Sequence, residues 1–245
     1  MVKYFYVRYG RSSVGRAPVS KTGCRGFKSF RPCHKGWDFL AVSLIVFLIF
    51  SILGIFEPES VYLSVLKVSG IGICFLYSLI SYFKNDKSLV AALFLTLVAD
   101  VLLAVNNFST LGVALFALAQ FFHTMRLSEW RKRFYIGYFV AILTIFLVGL
   151  AENAEPIFIA GSIYAVSLFS NLILAREWYR KAKTKEAKNA YLGFLLFVGC
   201  DLNVLLSFFT VTGVIVYTGI YKIANYLAWE FYFPSQFLLS KSGKV

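Results

Sequence analysis

Two aspartates stand where hydrocarbon is expected. Asp100 follows the largely apolar run Leu93–Ala99, and Asp201 follows Phe194–Cys200. A charge in the bilayer core is costly, so an intramembrane carboxylate marks a place where charge or protons are handled; polar packing between helices is the plainer role. Each aspartate lies eleven residues beyond the start of its span. At 1.5 Å per residue, both are expected ~16 Å deep, near the bilayer middle. Lys67 and Lys222 are natural counter-ions for the pair, with snorkelling to an interface as the alternative. Gln120 and His123 sit on adjacent faces of one span, and Lys222, Tyr226 and Glu230 form one helical stripe. Trp229 and Tyr232 read as belt and packing residues. The chain has no Gly-rich phosphate loop, no GxSxG elbow and only two His, so neither a metal site nor a cofactor is expected.

The elements that must position these residues are membrane helices. Hydrophobic residues make up 59% of the 245 and charged residues 15%. A soluble domain is nearer half apolar and a quarter charged. Eight runs approach the ~20 residues that cross a bilayer: about 39–56, 61–83, 89–105, 111–125, 134–151, 157–175, 190–210 and 213–233. The expected fold is therefore an all-α, multi-pass protein of the cell membrane, with its domain over 38–240 and a short tail at 241–245. Lys and Arg follow spans two, four, six and eight, while the loops around Glu57, Glu59, Glu152 and Glu155 have neither. That alternation places both termini in the cytoplasm.

The net charge of +13 would suit a nucleic-acid binder, but nine Lys/Arg and no acid fall within residues 1–37, leaving +4 for the rest. No RNA-binding signature accompanies them, so no nucleic-acid partner is expected. This segment reads instead as a tRNA gene in translation. Ser12–Ala17 can be encoded by a bacterial D-arm, Val19–Thr22 by an anticodon loop, and Gly26–Ser29 by a T-arm, in the right order. The expectation is a mis-assigned start, with the true one near Leu40 or Val42; a genuine basic arm is the alternative.

Spans three and seven look alike. Each has an Asp after an apolar run and a Phe eight residues later, Phe108 and Phe209. Four spans separate them, so a parallel four-plus-four repeat is expected, with chance apolar similarity as the rival.

These motifs resemble the YhhN-like lysoplasmalogenase family of eight-span membrane proteins. The matching residues are Lys67 in span two, Ala99-Asp100-Val101-Leu102-Leu103 with Phe108 in span three, and Cys200-Asp201 in span seven. Tyr232-Phe233-Pro234-Ser235-Gln236 resembles the family's closing motif. In span four the family's Ala-His-x-x-Tyr reads Ala119-Gln120-Phe121-Phe122-His123, and the Gly and Ser before the two aspartates are Ala99 and Cys200. The resemblance implies hydrolysis of the vinyl ether of a lysolipid drawn from the membrane. That reaction protonates the carbon β to the ether oxygen, adds water to the resulting cation and collapses the hemiacetal. It uses one carboxylic acid and one carboxylate, the division of labour of glycosidases. Asp100 and Asp201 are the expected catalytic pair, with Lys67, Lys222, Gln120, His123, Tyr232 and Gln236 as substrate-binding residues. The rivals are a proton-coupled or small-molecule transporter and a non-catalytic lipid-binding protein.

Overall fold

The computed structural model describes residues 35–56, 61–104, 109–128, 132–211 and 218–244. The tRNA-like segment lies outside the described residues up to position 34. Eight helices follow in order: α1 (Lys35–Phe56), α2 (Val61–Tyr82), α3 (Lys87–Ala104), α4 (Ser109–Ser128), α5 (Lys132–Ala151), α6 (Pro156–Ala182), α7 (Lys185–Val211) and α8 (Thr218–Ser240). Among the described residues there is no strand. Six helices, α2 to α7, are long and apolar enough to cross a membrane. In α1 the described apolar stretch is the shorter Ala41–Gly54. α8 is outside the set; Lys222 and Glu230 interrupt its apolar sequence.

Local chemistry sets the ends. Asp86 caps α3, its Oδ1 accepting the Leu89 backbone N–H at 3.1 Å. Pro156 opens α6, where its missing N–H costs nothing. Lys183 ends that helix in a left-handed conformation at φ 53°, and its N–H returns to the Tyr179 carbonyl. Thr184 then caps α7 through Ala187 N–H at 3.2 Å. The ends of α6 and α8 and the start of α7 differ from the expected spans. α6 and α7 run on through the basic residues 176–188, since lysine and arginine are good helix formers once water is available. α8 continues through Pro234 to Ser240, because losing one backbone hydrogen bond does not end a helix that is packed on its neighbours.

The helices form a ring. α2 packs on α3, α3 on α4, α4 on α6, α6 on α7, α7 on α8, and α8 returns to α2. α1 lies outside the ring against α2 and α8, and α5 lies outside it against α4 and α6. Moving four helices along the chain maps each of these pairings onto another. The exception is a contact across the ring between α3 and α8. One small residue makes the α2–α8 closure possible: a side chain at Gly70 would collide with the Phe233 ring.

Residues 241–244, within the short tail expected at 241–245, close one end of the ring. Arg126, in the last turn of α4, approaches Asp86 at 3.6 Å, with both side chains at most 3% exposed. Arg126 Nη2 donates to Ser242 Oγ at 2.8 Å, and the Lys244 backbone N–H donates to Asp86 Oδ2 at 3.2 Å. Lys244 Nζ reaches the Arg126 carbonyl at 3.2 Å. Gly243 lies so close to the Tyr82 ring that a larger residue would not fit. Arg126 is one of the basic residues that follow span four, yet its side chain is buried.

Candidate functional site

Inside the ring is a cavity of about 490 Å³, walled by residues of α2, α3, α4, α6, α7 and α8. Asp100 and Asp201 both line it. Asp100 is buried, and its Oδ2 accepts the Tyr232 hydroxyl at 2.8 Å. This hydrogen bond spans the ring where α3 meets α8 and accounts for the one pairing without a counterpart. Asp201 has its own phenol partner, the Tyr164 hydroxyl of α6. Lys67 also lines the cavity. Its ammonium lies 4.0 Å from the Trp229 ring centroid and 5.9 Å from that of Phe50, and it interacts electrostatically with Asp100. Indole is the best face for a cation, so Trp229 fixes the ammonium in place.

Four rings form the floor. Phe197 meets Tyr232 at 5.4 Å between centroids, and Phe116 meets Tyr164 at 5.8 Å; the remaining contacts among these rings reach 6.4 Å. Their tilted and edge-on arrangement is the one that aromatic quadrupoles favour. The walls above are mostly aliphatic: Val68, Leu103, Val113, Val204 and Ala228. The cavity thus combines an apolar enclosure with two carboxyls, two phenols and one ammonium, the few convergent polar groups typical of a binding site.

The aspartates are not at mid-helix. Asp100 is four residues from the end of α3, ~20 Å along a helix of 18 residues, and Asp201 is also past the middle of α7. Both helices start before their apolar runs, at Lys87 and Lys185.

A family model described as YhhN family matches residues 63–243, most of the chain. The chain belongs to the YhhN family. No curated protein and no solved structure matches it.

In this YhhN-family member, four expected substrate-binding residues lie outside the cavity lining. Lys222 is exposed two turns before Trp229 on the same side of α8, beyond the residues that line the cavity. Gln120 is fully buried at the α4–α6 seam, where its Oε1 and carbonyl oxygen accept from Asn171 Nδ2 at 2.8 and 2.9 Å. Thr124 completes that network, donating to Asn171 Oδ1 at 2.9 Å. His123 is buried edge-on to Phe194 at 5.1 Å. Gln236, one turn beyond Tyr232, is fully buried below the floor. Polar residue type marked these positions, but type does not separate a seam from a cavity. Tyr164 carries no signal in the sequence, since only the packing of α6 on α7 brings it to Asp201, 37 residues along the chain.

One consequence concerns the family's span-four histidine. Gln120→His should not raise turnover per folded molecule, because the side chain faces Asn171 and not the cavity. It should destabilise the protein by ~1–3 kcal/mol through buried groups left unpaired. Thermal unfolding in detergent beside an activity assay checks both. Increased turnover would show that position 120 reaches the substrate after all.

Proposed function

We propose that this YhhN-family protein is a membrane-embedded hydrolase that cleaves the vinyl ether bond of lysoplasmalogen-like lysolipids. The observation that carries the reading is that Asp100 and Asp201 share one largely apolar cavity with the ammonium of Lys67. Asp100 faces that cation and accepts the Tyr232 hydroxyl, two contacts that favour its charged form. Asp201 has a phenol beside it, and Lys67 is the one cation lining the cavity among the described residues, so Asp201 is left as the proton donor. Its proton goes to the carbon β to the ether oxygen. The Asp100 carboxylate stabilises the oxocarbenium ion and then takes a proton from the water that adds. The hemiacetal collapses to a fatty aldehyde and a free glycerol hydroxyl. Lys67 is available to the phosphate of the head group.

The purified protein in lipid vesicles should release aldehyde from a 1-alkenyl lysophospholipid. It should release none from the saturated 1-alkyl ether, which has no double bond to protonate. Folded protein with no turnover of the alkenyl lipid would end this reading. A transporter needs a path on both sides of its site, and the four-ring floor among the described residues counts against one.

The same proposal places all eight helices across the cell membrane, with both termini cytoplasmic. The Lys/Arg alternation between connectors supports this orientation. It also takes α1–α4 and α5–α8 as a parallel duplication, supported by the repeated packing pairs and by the aspartates on α3 and α7. A cysteine placed in the 152–155 connector should react with a charged thiol reagent in intact cells, and one at Lys183 only after the cytoplasmic face is opened. The reverse pattern would invert the topology.

A further inference from the structure

We infer that the cavity takes its lipid from the membrane face opposite the basic loops, the external leaflet. The inference rests on the reading of the cavity as a lipid site and adds where the substrate comes from. Apart from the floor residues Phe197 and Tyr232, the lining residues fall on one side of their helix midpoints or at the midpoint itself. Ser64 and Lys67 are in the first turns of α2, Leu103 and Ala104 end α3, and Val113 is in the second turn of α4. All of these ends adjoin the α1–α2 and α3–α4 connectors. In the other direction the four-ring floor closes the cavity. Beneath it Phe194, Leu127 and Leu174 are buried to 0% exposure and fill the ring as far as the Arg126–Asp86 cluster.

Charge gives the orientation. The connectors near the open half contain no Lys or Arg, whereas 176–188 carries six. The positive-inside rule therefore puts the floor toward the cytoplasm and the mouth outside. Lys67, only six residues into α2, sits ~9 Å from that end, within reach of a phosphate held at the external interface. A phosphate head group does not readily cross the hydrocarbon core, so the leaflet that the mouth faces is the leaflet that supplies the lipid.

Ser64→Cys and Val113→Cys of the full chain, in native membranes, test this with a charged thiol reagent. Labelling is read against the unsubstituted protein, whose Cys200 also lines the cavity. Both variants should react at least ~tenfold faster in intact cells than in inside-out vesicles, because the reagent must otherwise cross hydrocarbon. A saturated 1-alkyl lysophospholipid, which cannot be cleaved by this route, should slow the reaction. Lys183→Cys serves as the control and should react in inside-out vesicles. If either mouth variant fails to accumulate, the other carries the test. Faster labelling in inside-out vesicles, or no labelling from either side, overturns the inference, and so does external labelling that the lysolipid leaves unchanged. External labelling with lipid protection but no vinyl ether turnover supports the inference while defeating the hydrolase reading.

Discussion

Asp100→Asn and Asp201→Asn should each lower vinyl ether cleavage by ~10²–10⁴-fold, the usual contribution of a positioned acid or base. The amide matches the carboxyl in size but neither carries the charge nor gives up the proton that the reaction needs. Folding should survive. An Asn at 100 keeps an oxygen to accept the Tyr232 hydroxyl, so the α3–α8 contact has the same donor and acceptor. Removing a charge from a half-closed apolar cavity also does not add to the cost of burial. Aldehyde release by the purified variants, beside their unfolding temperatures, decides the matter. Near-normal turnover by either variant would make that aspartate a structural residue and move the chemistry elsewhere.

The second large effect belongs to the opposite end of the ring. Asp86→Ala removes the partner of an arginine whose side chain is 1% exposed, together with the cap of α3 and the acceptor for the Lys244 N–H. Breaking a buried ion pair from one side typically costs ~3–5 kcal/mol, because the remaining charge stays desolvated and unpaired. Arg126→Met should cost less than Asp86→Ala, since methionine fills part of the space beside Trp178 and the Asp86 carboxylate left behind keeps the Leu89 and Lys244 backbone N–H donors. The double variant should then be more stable than the sum of the single losses implies. Unfolding in detergent measures all three. A loss below ~1 kcal/mol for Asp86→Ala would mean that the pair behaves as a solvated surface bridge. Turnover per folded molecule should hold, since the aromatic floor separates this cluster from the cavity.

The membrane class, the eight helices in order and the two aspartates were all legible in the chain itself. Each depends on a local property: apolar run length, turn formers between runs, and a carboxylate where hydrocarbon excludes one. Lys67 and Tyr232 were legible too, through short motifs resembling the YhhN family. The ring was not, because which helix packs on which depends on faces that are apolar all round in a membrane protein and so leave little periodicity to read. For the same reason Lys222, Gln120, His123 and Gln236 looked equivalent to Lys67. A polar residue in an apolar run can face a cavity, a seam or the outer surface, and its spacing along one helix does not choose among them. Tertiary packing made the choice. It turned Gln120 to Asn171, left Lys222 exposed beyond the cavity lining, joined Tyr164 to Asp201, and set Lys67 over Trp229. It also pulled Arg126 out of the basic loops into a buried bridge, because the cost of desolvating a guanidinium is met only where the folded chain assembles Asp86, Ser242 and Trp178 around it.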